Sequence, residues 1–341
     1  MKCRKTMLNL PIQTNIDKMN TITDFVSMLI EELKQSGRYG TARSYSSSIK
    51  RLNAFIGYDK LTFHELTPEL LKKYELFLYQ EGCKRNTVSL YMRMLRSICN
   101  QVTRRGKASP QLGLFDDVFT GTDSSEKRAT TPLIIGRLQD LDLDNASSLA
   151  FARDMFLLSF FLRGIPFVDL SYLRKSDVKM GGGVRYRRSK TKRLLTVAIE
   201  PCAQAIIRKY EQHTKNSPYL LPIINPALPD KYKQYQSALR LYNKRLTHLS
   251  TLLGLKIRLT SYVARHSWAT AAYREGIPVS VISESLGHAS EKVTYTYLAS
   301  FENRTLRNAN KKVIALLKIN LNKDFIKKKP QKNKSVLNAF R

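Results

Sequence analysis

The spacing of apolar positions separates a regular helical stretch, an irregular stretch and a longer region of mixed pattern. From about residue 20 to 105 apolar residues recur every three to four positions, the period of amphipathic helices. In the first of these, Ile22, Phe25, Val26, Leu29 and Leu33 share a face, and Thr21 with Asp24 suits a capping box. A second runs from about Thr41 and aligns Tyr45, Ile49, Leu52 and Ile56. A third follows Thr67-Pro68, where proline fits the first turn, and buries Leu71, Tyr74 and Leu78. The fourth aligns Val88, Met92, Leu95, Cys99 and Val102, leaving Arg93, Arg96 and Asn100 on another face. Four such helices over 21–105 predict a compact bundle with basic faces toward solvent.

Regularity stops at Gly106. Residues 106–130 are rich in turn formers and carry no sustained period, so this stretch is expected to be an interdomain linker. A second domain is expected over 131–320. Its run from Ala146 to Gly164 is apolar nearly all round, as in a buried helix. Val184, Tyr186 and Arg188 alternate along one arm of a predicted hairpin and Leu195, Val197 and Ile199 along the other, with Ser189 to Lys192 at the turn. Further helices are expected over Asp230–Leu253, Ser261–Arg274, Val279–Leu286 (ended by Gly287) and Asn303–Ile319. Residues 1–20 read as an extension and 321–341 as a basic, disordered tail. The fold class is mainly α with a small β-hairpin or sheet, and no internal repeat is present.

Composition adds a partner. The 341 residues include 58 Lys+Arg against 27 Asp+Glu, a formal net charge of +31. Such a chain attracts polyanions, because neutralising phosphates releases condensed counterions. Nucleic acid is the leading candidate, with an acidic membrane or a ribosome behind it. The cysteines Cys3, Cys83, Cys99 and Cys202 lack metal-binding or framework spacing and read as free thiols in a reducing compartment. The N-terminal residues lack the apolar run of a signal peptide, and no stretch approaches about 18 apolar residues, so no membrane span is expected. The expected setting is the cytoplasm, on DNA.

Four segments then occur in an informative order: FFLRGIPFVDLSYLRKSD (160–177), RRSKTKRLLTV (187–197), LTSYVARHSWAT (259–270) and SLGHASEKVTYTYLASFE (285–302). They resemble the catalytic domain of the tyrosine recombinase (phage integrase) family, with His288 nine residues before Tyr297. The preceding bundle is similar to that family's SAM-like core-binding domain, and the resemblance extends over about residues 21–320. It implies the following roles. Tyr297 is the nucleophile that forms a 3′-phosphotyrosyl bond, Arg163 and Arg265 clamp the scissile phosphate, Lys190 is general acid toward the leaving 5′ oxygen, and His288 hydrogen-bonds the phosphate. The chemistry requires these types: a nucleophile, charge neutralisation on the non-bridging oxygens and a proton for the leaving group. Guanidinium suits the clamp because its fork pairs with two oxygens. Lys192 competes with Lys190, and Tyr295 offers a second hydroxyl. One position departs from the family: three residues before the second arginine, where histidine is usual, stands Tyr262. His266 reads as a core or supporting group, and Asp169 as a carboxylate that orients a clamp arginine.

In the bundle, Arg43, Lys84, Arg85, Asn86, Thr87, Tyr91 and Arg93 are candidate DNA contacts, since Thr41-Ala42-Arg43 and Arg85-Asn86-Thr87 stand at predicted helix starts that attract phosphate. A solvated charged face explains any one of them as well. The resemblance implies a double-stranded DNA partner and four protomers on two recombination sites; whether accessory DNA-bending proteins join as further partners is not given by the sequence. It implies no metal or other cofactor. Integration or excision of a mobile element, or inversion of a DNA segment, is the function expected. The alternatives are a type IB topoisomerase-like relaxing enzyme and a catalytically impaired DNA-binding protein.

Overall fold

The computed structural model describes residues 21–106, 112–123, 129–298 and 303–315. The chain divides into two units, Met1–Glu126 and Lys127–Arg341.

The first unit holds α1 (Ile22–Gln35), α2 (Tyr39–Ile56), α3 (Pro68–Gln80) and α4 (Arg85–Arg104). At the start of α1 the Thr21 hydroxyl accepts the Asp24 amide proton at 3.1 Å and donates to the Asp24 carboxylate at 2.7 Å. Thr67 caps α3 in the same way, with Pro68 in its first turn. The expected stripes are buried, except that Ile56 on α2 and Cys99 on α4 are half-buried, with Ile98 taking the core position on α4. Helix α2 begins two residues earlier than its apolar pattern suggests, because the Arg38 carbonyl accepts the amides of Thr41 and Ala42. Arg43 therefore lies one turn inside the helix rather than at its start.

Residues 112–123 belong to this unit's core. Leu114, Phe115 and Val118 are buried against the helices. The buried Glu75 carboxylate accepts the Phe119 amide proton and a proton from the Lys72 ammonium, both at 2.8 Å. Asn86 brackets the Asp123 backbone, accepting its N–H at 2.9 Å and donating to its C=O at 3.0 Å. Part of the segment expected as a linker is thus a folded loop, whose few apolar residues fit turns rather than a helical period.

The second unit comprises α5 (Pro132–Gln139), α6 (Ser148–Phe161), α7 (Phe167–Ser171), β1 (Val178–Lys179), β2 (Gly183–Arg187), β3 (Leu194–Ala198), α8 (Pro201–Lys209), α9 (Lys231–Leu252), α10 (Val263–Arg274), α11 (Val279–Leu286), α12 (Glu291–Tyr295) and α13 (Asn303–Ala315). Helix α6 is buried over most of its surface, as its continuous apolar run requires, and packs against α5, α8, α9 and α10. Its one buried acid, Asp154, accepts from Tyr210 at 2.8 Å and Lys209 at 2.7 Å. The sheet is antiparallel in the order β1-β2-β3, with Val184 opposite Val197 and Tyr186 opposite Leu195. The hairpin is as read, and β1 adds a short third strand. A smaller cluster of Ala269, Ala272, Ile282, Leu286 and Leu298 joins α10 and α11 to the segment after α12. The fold is therefore mainly helical with a small antiparallel sheet. On α13, Val313 and Ile314 are exposed. Leu316, Leu317 and Ile319, with the expected extension 1–20 and tail 321–341, lie outside the described residues. Among the described residues no helix is long and apolar enough to cross a membrane.

Candidate active site

After α6 the chain reverses through two residues of positive φ, Arg163 at 57° and Gly164 at 68°. Only glycine fits the second position, since a Cβ there would lie 2.8 Å from the Arg265 Cα. This close approach brings the Gly164 carbonyl to the Arg265 guanidinium, whose Nη1 donates to it at 2.8 Å. The same turn places Arg163 on the wall of a cleft of about 870 Å³, shared with Arg193, Ser283 and His288.

Arg265, in the first turn of α10, is 2% exposed. Its Nη2 donates to the Leu286 carbonyl at 2.5 Å and lies 3.0 Å from His288 Nε2. Guanidinium has only donors, so Nε2 must accept, and the imidazole proton sits on Nδ1, which donates to Thr294 Oγ1 at 2.8 Å. Burial first, then the positive charges of Arg265, Arg188, Lys190 and Arg193, push His288 down to about 3. It is a neutral imidazole of fixed tautomer. Burial likewise lowers Arg265, to about 10, with Arg188 the next cause.

Helix α11 ends at Gly287, with φ of 64°, and the chain then delivers His288 and α12. Tyr297 follows, half-buried. Its ring centroid is 4.5 Å from that of His266, at an interplanar angle of 27°, and 4.7 Å from that of His288. The Arg265 guanidinium carbon stands 5.6 Å from the same ring. Tyr295 is instead 55% exposed. Of the two hydroxyl-bearing rings, Tyr297 is the one held among the site residues. His266, read as a supporting group, touches the ring of the expected nucleophile directly. Tyr262 stands immediately before α10 without a capping bond from its side chain, which is 47% exposed, and its ring lies 6.4 Å from His266.

The hairpin turn is pinned at two points. Asp169 on α7 accepts the Ser189 amide proton at 2.8 Å, and Thr191 Oγ1 donates to the Gly287 carbonyl at 3.0 Å. Lys190 lies between these anchors with an exposed side chain, whereas Lys192 sits at the left-handed corner, φ 60°. The Asp169 carboxylate faces Arg188 Nε at 3.3 Å, rather than Arg163 or Arg265. Arg188, buried beside Asp169, was not among the expected site residues. The available signal was its phase: it alternates with Val184 and Tyr186, so the strand buries it with them.

In the helical unit, Asn86 is engaged with Asp123, and Arg85 lies 3.5 Å from the Asp123 carboxylate and 4.0 Å from the Phe119 ring. Thr87 is half-buried and Tyr91 packs against the core. Arg43, Lys84 and Arg93 are exposed. Arg38, Arg96, Arg104 and Arg105, none of them among the candidate DNA contacts, join Arg93 around a cleft of about 730 Å³. Among the described residues no group of three or more His, Cys, Asp or Glu side chains is placed to hold a metal ion.

Comparison with known proteins agrees with this architecture. Residues 21–112 match the phage integrase SAM-like domain and residues 143–304 the phage integrase family. Tyrosine recombinase XerD of Listeria monocytogenes is 22% identical over 296 residues, covering 81% of this chain and 92% of its own. Tyrosine recombinase XerA of Pyrococcus horikoshii is 23% identical over 265 residues, 67% of this chain and 88% of its own. A lambda integrase fragment (75–356), solved as a dimer bound to a COC′ core site, shares the fold with a TM-score of 0.60 at 15% identity, over 83% of this chain and 99% of that one. Tn1549 transposon integrase, solved with a circular intermediate DNA, does so with a TM-score of 0.59 at 13% identity, over 86% of this chain and all of that one. With a family model matched in each unit and recombinase relatives aligned along most of their length, the chain belongs to the phage integrase family of tyrosine recombinases.

Proposed function

We propose that this chain is a site-specific recombinase that cuts and rejoins duplex DNA through Tyr297, to integrate or excise a mobile element or to invert a DNA segment. The observation that carries this is the Tyr297 ring packed on His266 and His288 beside the buried Arg265 guanidinium. In cleavage the Tyr297 oxygen bonds to phosphorus while the bond from phosphorus to O5′ breaks. The phenol of half-buried Tyr297 loses its proton to solvent, and exposed Lys190 gives one to O5′ and regains one from solvent. Arg265 and Arg163 hold the charge on the non-bridging oxygens, a role in which removing one donor costs on the order of 10²–10³ in rate. The phosphotyrosine keeps the energy of the cut bond, so a 5′-hydroxyl from another strand can attack it and release the enzyme.

Lys190 is favoured over Lys192 because both its neighbours are tied down, Ser189 to Asp169 and Thr191 to Gly287. Exchange between two sites calls for a tetramer, and the exposed Val313 and Ile314 of α13 suit docking on a neighbouring protomer. Accessory DNA-bending proteins and a place on the bacterial nucleoid belong to the same reading. The test is strand exchange between two differently labelled duplexes taken from DNA flanking the gene. Holliday junctions and swapped labels are expected. Relaxation of supercoiled DNA with no exchange in any duplex pair would make the chain a relaxing enzyme instead.

A further inference from the structure

Arg188 has no part in the steps above, yet it is 5% exposed and lies against the residues that do. Its Nη1 donates to the Leu286 carbonyl at 2.7 Å, the same oxygen that accepts from Arg265 Nη2 at 2.5 Å. Two buried guanidinium groups thus meet at a single carbonyl. Asp169 is the carboxylate paired with Arg188, at 3.3 Å. Arg265 is bonded to two carbonyls and an imidazole, and among the described residues no carboxylate pairs with it. Its Nε is buried without a hydrogen-bond partner. His288 beside it is neutral, and the acids on the cleft wall, Glu284 and Glu291, are exposed. The buried cluster therefore holds two positive charges against one negative. Like charges out of water repel strongly unless an anion completes them.

Room for this arrangement is built in. A Cβ at Gly287 would lie 3.0 Å from the Arg188 Cδ, so the glycine that ends α11 also lets the Arg188 side chain pass. Arg188 stands two residues before Lys190, and Asp169 holds both Arg188 and the Ser189 amide. One carboxylate thereby sets the guanidinium and the start of the lysine turn together.

We propose that Arg188 is a third phosphate-binding arginine, forming with Arg265 the seat of the scissile phosphodiester while Asp169 fixes its orientation. This rests on the recombinase reading. The anion in question is the bridging phosphate of DNA, and Arg188 neutralises one of its non-bridging oxygens as Tyr297 attacks.

The test uses the full-length protein and nicked duplexes tiled across DNA flanking the gene. The scissile position is mapped with wild type, and that linkage is then made either as phosphodiester or as methylphosphonate, in which a methyl group replaces one charged oxygen. Arg188→Ala is expected to lose on the order of 100-fold in covalent adduct on the phosphodiester, while still binding the duplex, and to recover wild-type adduct on the uncharged linkage. Arg188→Met combined with Asp169→Asn removes both charges of the ion pair, leaves an amide oxygen for the Ser189 N–H, and should behave alike. Equal loss on both linkages, or a double variant that folds and cleaves the phosphodiester as wild type does, would overturn the assignment. Wild type that forms no Tyr297 adduct on any duplex would overturn the recombinase reading and this inference with it.

Discussion

At His288 a residue that ordinarily titrates near neutrality is confined to one form by Arg265 on Nε2, Thr294 on Nδ1 and burial of the ring. The consequence for stability has a definite sign. Its folded pKa, pushed down to about 3, lies below the unfolded value of 6.5. Between these values the unfolded chain binds a proton that the folded protein refuses, so the contribution is complete above pH 6.5 and is lost as pH falls toward 3. The melting temperature of wild type is expected to fall more steeply from pH 7 to pH 5 than that of His288→Gln. Parallel curves would mean that the imidazole protonates in place. The same scale shows the limit of reading spacing alone. The nine-residue step from His288 singles out Tyr297 over Tyr295 as the proposed nucleophile, but nothing local reveals that His266 packs on it, because that contact spans 31 residues.

At the scale of elements, the site depends on two turns that admit glycine for steric reasons. Gly164→Ala would place a Cβ 2.8 Å from the Arg265 backbone at a φ of 68°. A backbone atom cannot swing aside as a side chain can, so α10 must shift or the turn must open. A loss of about 1–3 kcal/mol is expected from backbone strain alone, measured by urea unfolding, with a larger proportional loss of DNA cleavage. An unchanged midpoint and full cleavage would show that the turn yields freely. Long helices with a clear period, α1, α3, α4 and α9, were legible within a residue or two, as was the hairpin. Elements of a few residues, α7, β1 and α12, were not, since each is too short for a period and is held by its neighbours. Residues 112–123 were misread for a related reason: Leu114, Phe115 and Val118 find the core through the loop's anchors to Glu75 and Asn86. Asp169 was expected to orient a clamp arginine, but it pairs with Arg188, whose burial was signalled only by its alternation with Val184 and Tyr186.

For the whole molecule the governing quantity is the net charge of +31. Each phosphate neutralised contributes a slope of about −0.9 to the dependence of log affinity on log salt. Contacts to six or more phosphates predict a fall in duplex affinity on the order of 10³-fold or more between about 50 and 200 mM salt. Affinity that holds constant over that range, measured by fluorescence anisotropy, would argue against phosphate-dominated binding. The central claim, that Tyr297 joins itself to DNA, is met most directly by trapping. DNA flanking the gene is nicked so that cleavage releases a short flap and religation fails. It is then incubated with wild type or Tyr297→Phe, denatured and resolved on a gel. Wild type is expected to yield a slow band that proteinase removes, and Tyr297→Phe to yield none. A band of equal strength with Tyr297→Phe would contradict the account and move the nucleophile elsewhere, with Tyr295 the first to examine.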